Sequence, residues 1–239
     1  MADPRVLWVT GAGSGMGQAA AVALAAGRRV ALSGRRQDRL EQTAALVEQA
    51  GGEALVLPLD VRDPGALGQA HDAITARWGG VGDVVLSAGL NNPHRTWADQ
   101  TMADVEAILA TNLTTVVRTV DAVLPDLRER AGQVVVVSSY SAWRFTPGAG
   151  VAYSASKTAL AAVCQTLNTQ EAGHGVRACH LCPGDVDSEF LRLRPAEPDA
   201  SARAVMLSAE DVARVIRFVL ESPPHVRIDE LVLSPVSQT

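Results

Sequence analysis

The chain has 239 residues, 47% hydrophobic and 20% charged, proportions that exclude disordered and fibrous classes and suit one globular domain. Its net charge is −5, without the basic surplus of a nucleic-acid binder. No apolar run approaches the roughly 18 residues of a spanning helix, and Arg5 interrupts the N-terminus, so no membrane segment or secretory leader is expected and a cytoplasmic chain is.

In chain order, Val6–Thr10 is a continuous apolar run ending at Gly11, as expected of a strand buried on both faces. Residues 16–26 are alanine-rich and close at Gly27, a helix with a glycine terminator. A second strand over 30–33, a helix over 38–50, a third strand over 54–59 and a helix from Pro64 to Trp78 follow. Residues 83–87 form a fourth strand, Met102–Arg130 a long helical region, and 134–137 a fifth strand of pure valine. A helix over 153–172, a strand over 176–181, a helix over 210–221 and a strand at Glu230–Leu233 complete the chain. This alternation predicts an α/β fold, a single doubly wound Rossmann domain over 1–239 with a seven-stranded, largely parallel sheet. The order should reverse between the first and fourth strands. Residues 185–207 lack periodicity and are rich in Arg, Pro and Asp. They predict a mobile substrate-lid insert beside the strands' carboxyl ends.

Between the first strand and helix stands Thr10-Gly11-Ala12-Gly13-Ser14-Gly15-Met16-Gly17. Glycines there permit a tight turn and close backbone approach to a pyrophosphate, at a helix N-terminus that attracts anions. A Walker lysine is missing, which argues against an ATP loop. At the end of the second strand an acidic residue would select NAD. Gly34, Arg35 and Arg36 stand there instead, and a guanidinium fork suits the 2′-phosphate of NADP(H). The bland alternative for both arginines is a solvated surface charge.

Tyr153 and Lys157 lie one helical turn apart, and Lys157 is the chain's only lysine. A neighbouring ammonium favours a phenolate, and a phenol so tuned is a general acid/base. Lowering its pKa by about three units takes roughly 4 kcal/mol.

With these segments stand Asp60-Val61, Ser87-Ala88-Gly89, Asn112, Ser138-Ser139 and Pro183-Gly184. In this order the set resembles the short-chain dehydrogenase/reductase family from about Arg5 to the C-terminus. The resemblance implies Tyr153 as acid/base, and Lys157 as the group that binds the nicotinamide ribose and lowers the phenol's pKa. It implies Ser139 on the reacting carbonyl, Asn112 holding a relay water, Asp60 and Val61 at adenine, and Val186 and Ser188 at the carboxamide. Two departures stand out. Ser87 replaces the usual asparagine, and the gap from Ser139 to Tyr153 is one residue longer than usual, which makes Ser141 an alternative serine. The stretch from Gly34 to Leu40, Leu207 to Val212, Pro224-His225-Val226 and the tail from Leu231 to Gln238 resemble an NADP-dependent branch. That branch acts on serine, other small 3-hydroxy acids and small aldehydes.

The expected substrate is therefore a compact carbonyl or alcohol. Asn91, Asn92, His94, Trp143, Arg144, Arg192 and Arg194 are placed at the cleft rim. Trp143, Phe145, Phe190, Leu191 and Leu193 favour a bulkier ketone as the alternative, and an NADP-sensing regulator without turnover is the alternative of another class. The family resemblance also implies a homotetramer or homodimer. Ser154 with Lys157 matches a serine–lysine acylase spacing, but the companion K-T-G is missing. Cys179 and Cys182, three apart on a strand, should point to opposite faces as buried free thiols, with Cys164 the third. The five histidines show no metal spacing, and no metal is expected.

Overall fold

The computed structural model describes residues 4–238; positions 1–3 and 239 of the expected domain lie outside the described residues. Seven strands form one parallel sheet in the order β3-β2-β1-β4-β5-β6-β7. They are β1 (Val6–Thr10), β2 (Arg29–Gly34), β3 (Glu53–Pro58), β4 (Asp83–Leu86), β5 (Gln133–Val137), β6 (Arg177–Pro183) and β7 (Glu230–Leu233). The reversal falls between β1 and β4, where open α/β sheets bind ligands.

Both faces of the sheet are covered, and the alternation along each strand shows it. Val6 and Trp8 enter one core cluster while Leu7 and Val9 enter the other; Val134 and Val136 oppose Val135 and Val137 in the same way. The first cluster packs under α3 (Pro64–Trp78), the helical stretch Met102–Arg130 and α7 (Val151–Gln170). The second packs under α1 (Gly15–Ala23), α2 (Gln37–Gln49) and α9 (Ala209–Leu220). The four valines of β5, Val134 to Val137, suit this position, since a parallel strand buried on both faces needs no polar side.

The long stretch is not one uniform helix. It runs as α4 (Met102–Leu109), a π-helical segment (Ala110–Thr114) and α5 (Thr115–Arg130). By length and composition alone it could cross a membrane, with mean hydropathy 1.3 over its most apolar 18-residue window. In the fold, the stripe of Val116, Val120, Val123 and Leu127 lies in the core. Two short helices complete the set, α6 (Tyr140–Trp143) and α8 (Ala200–Arg203). The insert at 185–207 has structure of its own: a 3-10 turn at Glu189–Leu193, α8, and a bridge from Val186 to Leu207 that ties its ends together.

Candidate active site

The glycine loop leaves β1 over the carboxyl end of the sheet. Gly11 and Gly15 have φ of 68° and 54°, a region that side chains other than glycine adopt at a cost. A Cβ on Gly11 would sit 2.8 Å from the Ala88 nitrogen, and one on Gly17 would overlap the Gly11 carbonyl. The loop is thus pressed against β4 and α1. Ser14, at the N-cap of α1, makes no side-chain bond to the first turn. In α3, by contrast, Asp63 accepts from the nitrogens of Gly65 and Ala66. The first turn of α1 therefore has donors to offer a phosphate.

A cleft of about 410 Å³ opens on this loop. Its walls include Gly11, Gly13, Ser14, Gly15, Met16, Gly34, Arg35, Arg36, Asp60, Val61, Ser87, Ala88, Gly89 and Ser188. Gly17 lies buried beneath the loop. A dinucleotide fits this cradle: close backbone at the pyrophosphate, cations at the far end, and Asp60 and Val61 across from them. The Asp60 carboxylate is already gripped by Arg62, with Nη2 at 2.6 Å, and that bond holds it below the usual carboxylate range. Arg35 stands exposed near it.

Arg36 behaves otherwise. Its Nη2 donates to Ser14 Oγ at 3.2 Å and to Glu189 Oε2 at 3.0 Å, so the 185–207 insert is ion-paired to the end of β2.

A second cavity of about 580 Å³ adjoins the cleft, and the two share Met16, Ser188, Phe190 and Leu193. Ser139, Tyr153, Pro183, Gly184 and Val186 line it. Ser139 caps α6, with its Oγ accepting from Ser141 N at 3.2 Å and from Ser141 Oγ at 3.0 Å. Ser139 also faces the Tyr153 phenol closely enough to pull its pKa down. Ser141 lines the same cavity and donates to Ser139 there. The stretch between Ser139 and Tyr153 holds α6 and a turn at Pro147–Ala149.

Tyr153 lies in the first turn of α7, which starts two residues earlier than the apolar pattern suggests, at Val151. Burial raises the phenol's pKa, while the Ser139 hydrogen bond and the charges of Arg95 and Arg194 pull it down. Lys157 is buried, with Nζ donating to the Val137 carbonyl at 2.8 Å and lying 5.8 Å from the centre of the Tyr153 ring. Burial lowers its pKa to about 8.

Asn112 sits fully buried in the π-helical segment. Its Oδ1 accepts from Leu90 N at 2.7 Å, and its Nδ2 donates to Leu90 O at 2.9 Å and to Ser156 Oγ at 3.1 Å. Ser156 donates in turn to the Tyr153 carbonyl. The amide thus clamps the loop after β4 to the tyrosine helix, with both ends of its side chain taken.

Sequence patterns missed three participants. Arg95, a lone arginine in a loop, and Glu189, in the aperiodic insert, carry no local signal. Cys182 lies beneath the site near Ser138 and Lys157, and burial pushes its thiol up to about 12. Strand pairing also brings His180, Cys182 and Glu230 within 4.8 Å of one another, a grouping invisible in linear spacing. There His180 Nδ1 lies 3.1 Å from the Glu230 carboxylate. Cys179 and Cys164 are buried free thiols whose pKa values burial also raises.

Residues 5–198 match the family model for short chain dehydrogenase. A sulfoacetaldehyde reductase of Chromohalobacter salexigens is 34% identical over 97% of this chain and 94% of its own length. A glycine betaine reductase of Emericella nidulans is 32% identical over 97% of this chain, which spans 19% of that protein. Among solved structures, an alcohol dehydrogenase from the archaeon Thermococcus sibiricus, complexed with 5-hydroxy-NADP, superposes with a TM-score of 0.89 at 31% identity, over 99% of both chains. The closed form of a serine dehydrogenase complexed with NADP+ gives 0.85 at 29% identity, over 98% of this chain and 96% of that one.

Proposed function

The chain belongs to the short chain dehydrogenase family and is an oxidoreductase acting on CH–OH or C=O groups, and from that premise we propose an NADP(H)-dependent enzyme for short, polar carbonyls and alcohols. The observation that carries this reading is the meeting of Ser139, Tyr153 and Lys157 where the glycine cleft opens into the second cavity. Bound in the cleft, the dinucleotide supplies or accepts the hydride. Arg35 and Arg36 would take the 2′-phosphate as charge-assisted donors, and the NADP complexes among the structural neighbours support that choice.

The remaining work falls to the chain. With both Ser141 donors on its oxygen, Ser139 keeps a single O–H, which faces the Tyr153 hydroxyl and would turn to a substrate oxygen bound beside it. In reduction the Tyr153 hydroxyl passes its proton to the same oxygen as the C=O bond becomes C–OH; in oxidation it takes that proton back. The Lys157 ammonium lies under the ring and steadies the phenolate left behind. Asn112 keeps the loop and helix in register, and because its side chain is committed, a relay water there would rest on main-chain atoms. A regulator that only binds cofactor has no use for a buried acid/base set of this kind.

NADPH-linked assays on sulfoacetaldehyde and other short aldehydes test the reading in reduction. NADP-linked assays on serine, 3-hydroxybutyrate and 3-hydroxyisobutyrate test it in oxidation, with a bulky cyclic ketone and an acetoacetyl thioester as contrasts. A short substrate should give the highest kcat/KM. Tyr153→Phe should lose about 100-fold or more in kcat while NADPH titration by fluorescence stays near wild type. A mutant keeping a tenth of the activity would remove Tyr153 from its role. The bulky ketone or thioester ranking first would overturn the substrate class.

A further inference from the structure

Arg95 lines the second cavity together with Ser139 and Tyr153, and among the described residues no carboxylate is ion-paired to it. Two of its five N–H donors are spent on main-chain carbonyls: Nη1 on Ala149 at 3.5 Å and Nη2 on Leu193 at 3.0 Å. Its Nε is buried and has no hydrogen-bond partner among the described residues. The charged or titratable neighbours that act on it are Arg194 and Tyr153. The nearby acids are otherwise engaged, Asp185 with Arg194 and Asp99 with Thr96 and His94.

A partly desolvated guanidinium without a counter-ion is unfavourable, and one left at a cavity wall calls for an anion from elsewhere. The chain makes room for the arginine's stem. Gly150, just ahead of the tyrosine helix, has φ of 87°, and a Cβ there would come within 2.8 Å of the Arg95 Cβ. The guanidinium is also close enough to Tyr153 for its field to act on the phenol. The other arginines of the cavity wall are differently placed: Arg194 is neutralised by Asp185, and Arg144 is exposed.

We propose that Arg95 anchors an oxyanion, a carboxylate or sulfonate, at the far end of a short substrate whose carbonyl meets Ser139 and Tyr153. The proposal rests on the oxidoreductase reading above and narrows its substrate to anionic carbonyls and alcohols. It disfavours a substrate whose far end is a quaternary ammonium, which Arg95 would repel. The planar fork fits either anion through two parallel N–H donors.

The test compares kcat/KM for succinic semialdehyde and sulfoacetaldehyde with that for butanal, in wild type, Arg95→Met and Arg95→Lys. Thermal melts confirm that each variant is folded. Wild type should favour one or both anionic aldehydes over butanal, and the preferred one identifies the anion. Arg95→Met should reduce that preference about 10- to 100-fold, chiefly through KM, the range expected for a lost charge-assisted contact. Arg95→Lys, which keeps the charge but not the fork, should recover part of it. An unchanged preference in folded Arg95→Met would reduce the residue to a tie between Ala149 and Leu193 and overturn the proposal. If wild type reduces no aldehyde, the enzymatic reading fails, and calorimetry of the NADP+ complex with propionate and ethanesulfonate decides the anchor separately. Binding that Arg95→Met abolishes upholds it; binding equal in both proteins, or none in wild type, overturns it.

Discussion

Arg36 is where the insert and the proposed cofactor compete for one guanidinium. In this structure it holds Glu189, whose other carboxylate oxygen lies 3.8 Å from Arg39. The hydrogen bond from Arg36 keeps Glu189 below the usual carboxylate range. A 2′-phosphate reaching the same donors would have to displace that carboxylate or share the arginine with it. Both side chains are more than a third exposed, so the ion pair is screened and worth about 0.2–1 kcal/mol. Glu189→Gln should therefore tighten NADPH binding by up to about fivefold at low salt. NADH, which lacks the phosphate, should respond little, and the gain should shrink as salt is added. Fluorescence titration of both cofactors measures this. Weaker NADPH binding in the mutant would instead make Glu189 a group that positions Arg36.

At the scale of elements, helix α5 ends on Ala131, whose φ of 46° makes it the only non-glycine among the described residues with positive φ. Its N–H closes the helix on the Leu127 carbonyl, a role in which glycine is free of the Cβ clash. Ala131 is exposed, so its methyl contributes little packing. Ala131→Gly should gain about 0.5–1 kcal/mol of stability despite the added entropy of the unfolded chain; an unchanged or lower denaturation midpoint would mean that the methyl is well packed. Sequence patterns carried the elements to within a few residues because several apolar runs end at a residue with its own stop signal, such as Gly11 after β1 or the αL residue Gly79 after α3. They did not carry the π-helical break at Ala110–Thr114, because the apolar stripe continues across it and periodicity senses the face rather than the hydrogen-bond register. The site divides along the same line. Gly11, Tyr153 and Lys157 sit in motifs whose spacing is local. Arg95 acquires its role from carbonyls 54 and 98 positions away, a distance no local window spans.

The whole molecule separates holding from reacting along the strand axis. The glycine loop, Ser139 and the 185–207 insert gather at the carboxyl ends of the strands. At the amino ends a different cluster fastens the sheet. Asp83, fully buried at the start of β4, accepts from Arg5 Nε at 2.7 Å, Arg28 Nη1 at 3.0 Å and the Gln133 backbone nitrogen at 3.2 Å. One carboxylate thus ties together the entries to β1, β2, β4 and β5, the four central strands flanking the topological reversal. Removing it leaves Arg28, whose side chain is 15% exposed, with its charge uncompensated, whereas Arg5 at 39% can turn to water. The buried Gln133 N–H also loses its acceptor. Breaking a buried pair from one side costs about 3–5 kcal/mol, and the freedom of Arg5 places Asp83→Ala near the lower end. Asp83→Asn keeps an acceptor for Gln133 and should fall between the mutant and wild type. Because no atom of this cluster lines either cavity, kcat/KM measured well below the lowered Tm should stay within about twofold of wild type, the additive outcome for distant sites. Denaturant titration and assays at a permissive temperature check both halves. A large loss of activity in a protein still fully folded would mean that strain at the amino ends of the strands reaches the proposed catalytic hydroxyls, and that the two ends of the sheet are not independent.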